Sequence, residues 1–175
     1  MGFSDFEKTL SGFFYKSLPI KGNISFNEYE DGYRAGIGMI GDGTDPIQVV
    51  FSIPKCSDDL YLIISDGDPE ELSKEVSSLQ SYNENTSHLC VEHTVPTQNK
   101  YVKESGWCAY LISRPEVTYK GFPDTKDISG RNIRFHLVMP IAEGDRKLKI
   151  EKGIDQLMEK YGDEGRELFT FKRNA

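Results

Sequence analysis

The sequence has few cysteines and no long apolar run, and each absence excludes a class of protein. Its 175 residues hold three cysteines, Cys56, Cys90 and Cys108, and no two of them form a CxxC pair. We therefore expect no disulfide framework and no metal site, but reduced and mostly buried thiols. No apolar run approaches the roughly 18 residues of a membrane span, and the N-terminus lacks the basic region of a secretory signal. The prediction is a cytoplasmic protein with no membrane partner.

Positive charge is also scarce, above all in the first part of the chain. Residues 1–100 contain 16 acidic and 7 basic residues, a balance of −9, whereas residues 101–175 contain 12 and 14, a balance of +2. An acidic surface repels the phosphates of nucleic acids and attracts basic proteins. The charge predicts no nucleic-acid partner. A basic protein partner and ordinary solubility both fit it.

Two helices are indicated in the first half by capping residues and apolar spacing. Ser4 and Glu7 form an S-x-x-E capping box before apolar residues at helical spacing, which predicts a helix from Ser4 to Leu18. Asp68 is a good N-cap and Pro69 fits the first helical position, which predicts a helix over residues 69–81 and a loop over 81–88.

Strand patterns occupy most of the remaining chain. Alternating or continuous apolar runs between turn residues predict strands over 23–30, 33–40, 47–54, 60–65, 106–113 and 133–139. Residues 93–96 fit a strand or a turn, and the tail RELFTFKRNA fits a short final strand. With a third helix over 148–161, the pattern predicts one α+β domain over residues 1–175. We expect a largely antiparallel or mixed sheet covered by about three helices.

The segment 131–161 combines a strand with a helix that contains a glycine. Alternation puts His136 on the side opposite Phe135, and we expect that side to be less buried. Gly153 inside a helix costs about 1 kcal/mol relative to Ala, so we expect a close approach there and a loss of stability on Gly153→Ala. Either Glu143 or Asp145 is expected to cap the helix. The residues expected to pack on the sheet are Ile150, Ile154, Leu157, Met158 and Tyr161.

Two glycine-rich or acidic motifs lack the context that their chemistry requires. GIGMIG at 36–41 matches G-x-G-x-x-G, but turn residues follow it where a dinucleotide site needs a helix. The acidic segments 41–45 and 65–71 lack the ligand spacing of a calcium loop. No cofactor is predicted. A metal-dependent ligand binder built on these acids is a weaker alternative.

Five acidic residues cluster around the start of the second predicted helix. They are Asp66, Asp68, Glu70, Glu71 and Glu75, with Lys74 as the one base among them. A basic protein partner could use such a patch, and a solvated helix face has the same composition. These five residues are our candidate partner-binding residues.

A catalytic alternative rests on cysteine and histidine. His93 with Cys90 or Cys108 could form a base and a thiol nucleophile, which would make the chain a small hydrolase. No local signature surrounds these residues, so core packing of Cys108 and a turn contact of His93 compete with this hypothesis. We predict no catalytic residues.

The order of several segments in the second half resembles the suppressor of fused domain family. HTVP at 93–96 is similar to the family's G-H-T-I-P segment, with Glu92 in place of glycine. WCAYLISRP (107–115), GRNIRFHLVMPIAEGD (130–145) and LKIEKGIDQLMEKY (148–161) are similar to its later strand, strand–turn and helix. The resemblance covers residues 47–161, is strongest over 93–161, and is poor in the first 45 residues.

The resemblance implies an α+β fold and a function in binding. Animal members of the family bind Gli transcription factors and are not known as enzymes. Many bacterial members are single domains beside toxin genes and are proposed to be immunity proteins. On this resemblance, we expect a non-enzymatic protein-binding module of the bacterial type that blocks a toxin or effector, such as a basic nuclease. A hydrolase and an uncharacterised ligand-binding domain are the alternatives.

Overall fold

The computed structural model describes residues 4–41, 46–117 and 120–172, and these form five α-helices and eight β-strands. The helices are α1 (Asp5–Ser17), α2 (Pro69–Asn85), α3 (Lys100–Glu104), α4 (Glu143–Lys152) and α5 (Ile154–Glu164). The strands are β1 (Ile20–Glu28), β2 (Arg34–Ile40), β3 (Ile47–Ser52), β4 (Asp59–Ser65), β5 (Thr94–Pro96), β6 (Ala109–Ser113), β7 (Thr125–Ile128) and β8 (Arg131–Ile141). None of the helices described has the length and apolar character that crossing a membrane requires.

The strands form one mixed sheet. Their order is β1-β2-β3-β4-β8-β6-β5, and β7 pairs with β8 as well. β4 and β8 run parallel, with Asp59 opposite Arg134, and the other paired strands are antiparallel. A parallel pair requires a long crossover, which the segment from α2 to β7 supplies. The predicted α+β class with a mixed sheet is confirmed.

The structure has five helices where the sequence predicts three. One addition is α3, which is too short for apolar periodicity to reveal and starts where the Asn99 side chain accepts a hydrogen bond from the Val102 N–H at 3.1 Å. The other arises because the predicted helix over 148–161 is interrupted at Gly153, which separates α4 from α5.

Gly153 does not lie inside a helix, and the predicted close approach is wrong. Its φ is +91°, and no atom lies within 4 Å of the position that a Cβ would take. The backbone conformation, rather than crowding, therefore requires glycine. We still predict that Gly153→Ala lowers the stability. The reason is now the positive φ, which alanine disfavours, and no longer a clash of its Cβ. Ile150 is 68% exposed, so its predicted packing is also wrong, because the interrupted α4 contacts the core through Leu148 instead.

Helices cover both faces of the sheet, and each face has its own apolar core. On one face α1 and α5 contribute Leu10, Phe14 and Leu157 to a cluster that includes Phe135 of β8. On the other face α2 packs against strands β2 to β4, and its buried apolar residues are Leu72, Val76 and Leu79. Strands between two helical layers are buried on both sides, which is why β4 reads as the continuous apolar run LYLII.

This double coverage corrects the prediction for His136. The alternation along β8 is as expected, but His136 lies on the face where Val138 joins the apolar cluster of α2, and His136 is 6% exposed. Its ring stacks on Tyr61 with 5.1 Å between centroids. Sequence alternation identifies the two faces of a strand, but it does not say which of them a helix covers.

Several predicted boundaries change. α2 continues to Asn85, so residues 81–85 are helix rather than loop. Residues 166–172 contain neither helix nor strand, so the predicted final strand is wrong there, and residues 173–175 lie outside the described ranges. Phe171 is nevertheless buried, and its carbonyl accepts a hydrogen bond from the Trp107 indole N–H at 2.6 Å. This segment is held by side-chain packing, which leaves no period-2 pattern.

GIGMIG belongs to β2 and its following residue, and the next described element is a strand rather than a helix. A Cβ at Gly36 would collide with the Phe51 ring on β3. Glycine therefore permits close packing across the sheet here, as expected for glycine within a strand. Of the acidic segment 41–45, residues 42–45 lie outside the described ranges.

Candidate protein-interaction surface

The start of α2 gathers the five predicted partner-binding residues at one end of the helix. Asp68 caps it, because its Oδ1 accepts from the N–H groups of Glu70 (2.9 Å) and Glu71 (3.2 Å). Asp66, Asp68 and Glu70 are exposed, and Glu71 and Glu75 are half-buried. We call these five residues the acidic face.

Four members of the acidic face also have internal partners. Asp68 is the helix cap, and Asp66 Oδ1 accepts from the Phe171 N–H at 2.7 Å. Glu71 Oε2 accepts from the Asn99 side-chain amide at 3.2 Å. Glu75 is bound to two hydroxyls, whereas the exposed Glu70 side chain has no such partner among the described residues. The face is therefore partly structural, and its role in binding stays a prediction.

A groove of about 180 Å³ lies between α2 and the edge strand β5. Part of its lining is apolar and includes Tyr82, which is 41% exposed. Its lining residues are Glu75, Ser78, Leu79, Tyr82, Val95, Pro96, Thr97, Gln98 and Tyr110. Because Glu75 belongs to both, the groove continues the acidic face into the molecule. We call it the α2–β5 groove.

Glu75 is held in the groove by two hydroxyl groups. Its Oε1 accepts hydrogen bonds from Thr97 Oγ1 at 2.6 Å and from Tyr110 Oη at 2.7 Å. Burial and the nearby Glu75 carboxylate raise the pKa of Tyr110, so this hydroxyl stays protonated and acts as a donor. Oε2 accepts no hydrogen bond from the residues that the structure describes.

The outer edge of β5 carries unpaired backbone groups. Ile112 N donates to His93 O (2.9 Å) and Thr97 N to Cys108 O (3.1 Å), so alternate residues of the segment bond to β6. Thr94 and Pro96 therefore direct their backbone groups outward. Pro96 has no N–H, which leaves the edge with carbonyl acceptors and few donors, as is common at exposed edges.

A bulge precedes β5, and Glu92 occupies it with a φ of +78°. Glu92 N donates to Ile112 O at 2.8 Å and Ile112 N donates to His93 O at 2.9 Å, so two residues lie opposite one. A left-handed residue in such a bulge is usually glycine. The position at which this sequence departs from the G-H-T-I-P pattern is thus one where the conformation favours glycine.

The structure brings one of the two proposed thiol–histidine pairs together. Cys90 Sγ lies 3.6 Å from His93 Nε2, whereas the Cys108 thiol bonds to Glu143 Oε2 at 3.3 Å. His93 Nδ1, however, accepts the Cys90 backbone N–H at 3.2 Å. A neutral ring then carries its proton on Nε2 and donates toward the sulfur, so it has no free nitrogen to remove the thiol proton. This geometry favours a turn contact over a hydrolase.

Of the three comparisons with known proteins, the one with solved structures finds matches, and these agree with the architecture. No protein-family model matches the sequence, and no curated protein matches it either. A solved structure of a suppressor of fused (SUFU) homologue from Neisseria gonorrhoeae is similar over 98% of this chain and 94% of its own, with a TM-score of 0.74 and 16% identity. The fold is suppressor-of-fused-like.

Two further SUFU structures share this fold. The chain matched in the Sufu–Fu complex aligns over 96% of this chain and 90% of its own, with a TM-score of 0.71 and 9% identity. Drosophila Suppressor of Fused aligns over 81% of this chain, with a TM-score of 0.59 and 8% identity. This chain spans 42% of that longer protein.

In this SUFU-like fold, the sequence segments that carry the resemblance include a strand in the middle of the sheet and a strand at its edge. GRNIRFHLVMPIAEGD includes β8, which pairs with β4, β6 and β7. HTVP includes β5, which forms the edge of the sheet beside the α2–β5 groove. The resemblance therefore lies in the core of the sheet and in one wall of the groove.

A second polar cluster, which the sequence analysis missed, lies at the far end of α2. Glu84 accepts hydrogen bonds from six donors, including the backbone N–H groups of Lys55 (3.1 Å) and Cys56 (3.0 Å) and the Ser57 hydroxyl (3.1 Å). Burial would raise the pKa of Glu84, but these hydrogen bonds outweigh it and lower the pKa to about 2. The Cys56 thiol is one of the donors and is exposed. Cys90 and Cys108 are half-buried, so the expectation of mostly buried thiols is wrong.

Asp59 forms the buried part of this cluster. It is 1% exposed and accepts from His136 Nε2 at 2.9 Å and Arg134 Nε at 3.0 Å. Burial would raise the pKa of Asp59, but the bonds from His136 and Arg134 lower it to about 2. Among the described residues, no group of three Cys, His, Asp or Glu side chains is arranged to hold a metal ion. Every carboxylate oxygen in this cluster is engaged, so we regard the cluster as structural.

Proposed function

We propose that the chain is a non-enzymatic module that binds a basic protein partner through the acidic face and the α2–β5 groove. The observation that carries this proposal is the groove itself: an apolar wall beside a carboxylate with an unused oxygen, on a suppressor-of-fused-like fold. One protein of this fold is known in a complex with a protein, Fu. A partly apolar groove rimmed by charge suits a protein interface.

The partner class follows from the charge. The chain carries a net charge of −7, and the acidic face contributes five carboxylates to one end of α2. We propose that the whole chain acts in the cytoplasm of a bacterium as an immunity-type protein that blocks a basic toxin or effector, such as a nuclease. Long-range attraction would raise the association rate, and contacts in the groove would set the lifetime of the complex.

The test is co-purification from the source cells at low salt, with charge-reversed variants. Glu70→Lys with Glu71→Lys changes the acidic face without removing the Asp68 cap, and Glu159→Lys, at an exposed position of α5, is the control. We expect the wild type and the control to retain the same basic protein and the double variant to lose it. The retained protein should lose its toxic or nuclease activity when the wild type is added in equal amount.

Salt provides a second readout of the same proposal. Raising ionic strength shortens the Debye length from about 10 Å at 0.1 M to about 3 Å at 1 M, so the association rate should fall while the dissociation rate changes little. If no partner is retained at low salt, or if charge reversal leaves retention unchanged, the acidic face is only a solvated surface.

A further inference from the structure

The half-buried Glu75 lacks a basic partner in the described part of the chain, unlike the fully buried carboxylates. These pair with a basic side chain at 3.0 Å or less: Glu7–Arg34, Asp59–Arg134 and Asp145–Lys160. Among the described residues, no Lys, Arg or His nitrogen lies within 4 Å of the Glu75 carboxylate. A carboxylate oxygen can accept further donors, and Oε2 of Glu75 has none among the described residues.

The shape of the α2–β5 groove suits one long side chain. Its volume is about 180 Å³. Leu79, Tyr82 and Val95 are apolar residues that line it together with Glu75. A long basic side chain buries its methylene groups along apolar surface while its charged end reaches a polar partner. The groove offers both kinds of surface, because apolar residues and Glu75 line it together.

We infer that the α2–β5 groove binds a lysine side chain of the partner, with Glu75 Oε2 as the acceptor for its ammonium group. This inference rests on the proposed function. Lysine fits better than arginine because Oε1 already accepts two hydroxyl donors. An arginine fork binds best to a carboxylate with both oxygens available, whereas an ammonium is a point charge that one oxygen can bind.

Capped tripeptides test the groove without the partner. Acetyl-Val-Lys-Val-amide is titrated into the isotope-labelled full chain, and the amide NMR signals of Leu79, Val95 and Thr97 are followed. We expect saturable shifts at these groove residues, with a dissociation constant in the millimolar range, about 1 mM. The arginine peptide should bind more weakly, and the norleucine peptide, which keeps the stem without the charge, should bind at least about tenfold more weakly.

Variants identify the residue that is responsible. Glu75→Gln should weaken binding of the lysine peptide at least about tenfold, because it removes a hydrogen bond to a charged group. Glu159→Gln, which changes an exposed carboxylate outside the groove lining, should leave the affinity unchanged. Tyr82→Ala removes an exposed wall of the groove and should weaken binding a few-fold, which provides a second test that leaves the Glu75 hydrogen bonds intact.

The possible outcomes separate this inference from the proposed function. Equal binding of the lysine and norleucine peptides, equal binding by wild type and Glu75→Gln, or no saturable shift up to about 10 mM peptide would overturn the lysine site. A partner that is retained by the acidic face while the tripeptides fail would sustain the proposed function alone. Lysine binding without a retained partner would sustain the site and contradict the immunity role.

Discussion

Glu75 and Glu84 lie on the same helix, nine positions apart, and the surroundings of their carboxylates are opposite. Glu84 is enclosed by six donors, two of them backbone N–H groups of the β3–β4 connection. Glu75 accepts two hydroxyls on one oxygen and faces an apolar groove. Both are half-buried, so burial alone does not distinguish them. The number and kind of hydrogen-bond donors distinguish the two carboxylates.

The contrast separates a structural cluster from the proposed binding site. Where backbone N–H groups depend on a carboxylate, its loss leaves them unsatisfied and destabilises the fold. Where only rotatable hydroxyls donate, an amide oxygen can replace the carboxylate oxygen and the fold loses little. Glu84 therefore ties the far end of α2 to the sheet, whereas Glu75 keeps one oxygen without a donor among the described residues.

The largest effect is expected at Asp59, the buried member of the structural cluster. Asp59→Ala leaves Arg134 and His136 without their acceptor and should lower the free energy of unfolding by about 3 kcal/mol. Its neighbour Asp58 has a side chain that is 53% exposed and lies 3.3 Å from Arg131, so Asp58→Ala should cost no more than about 1 kcal/mol. Urea unfolding of both variants measures the difference. Similar costs would mean that the cluster is not a buried structural unit.

The next largest loss of stability is expected for Glu84→Gln, which should also change how the free energy of unfolding depends on pH. Its amide NH₂ would face donors, so we expect a loss of about 2 kcal/mol near pH 7. The folded pKa of Glu84 is lowered from 4.5 to about 2. The stability that Glu84 contributes is therefore present above about pH 4.5 and is lost as the pH falls toward 2. Urea unfolding at about pH 3 and pH 7 should show a smaller pH difference for Glu84→Gln than for the wild type.

The exposed Glu30 supplies the control for that experiment. It lies in the turn after β1 and is solvent-exposed, so Glu30→Gln should reproduce the pH dependence of the wild type. If Glu84→Gln does so as well, the hydrogen bonds of the cluster do not stabilise the ionised carboxylate in solution.

The sequence predicts the regular parts of the fold and not the polar contacts between them. α1 and α2 are indicated by their caps, and β8 by its alternation, because these signals are local. The break at Gly153 is not distinguishable by sequence from a helical glycine, since a positive φ leaves no mark in the neighbouring residues. Coverage of both sheet faces, which buries His136, depends on where distant helices pack.

The two sites differ in how far sequence could reveal them. Asp59 and His136 are isolated polar residues beside apolar strand positions, which is the one signal that could have pointed to their pairing. The acidic face was visible as a run of carboxylates before a capped helix. The groove was not, because it forms only when β5 becomes the edge of the sheet beside α2, and that follows from the strand order β8-β6-β5.

A smaller effect, of opposite sign, is expected at Glu92 on the groove side. Its φ of +78° is a conformation that costs a non-glycine residue at least about 1 kcal/mol. Glu92→Gly removes this strain but adds chain entropy to the unfolded state, so the net gain should be about 0.5–1 kcal/mol. Glu92→Ala keeps the strain and serves as the control. Equal gains for both variants would show that the carboxylate, rather than the backbone, is unfavourable there.

The smallest effect on stability is expected at Glu75. It decides whether the surroundings of Glu75 differ in kind from those of Glu84. The Thr97 and Tyr110 hydroxyls can donate to the amide oxygen of Glu75→Gln as they do to the carboxylate. We therefore expect the free energy of unfolding to stay within about 0.5 kcal/mol of the wild type, in the urea experiment used for Glu84→Gln. The substitution is the same at both positions, so a difference reflects the surroundings. If Glu75→Gln costs as much as Glu84→Gln, the carboxylate in the groove is structural and the lysine site loses its basis.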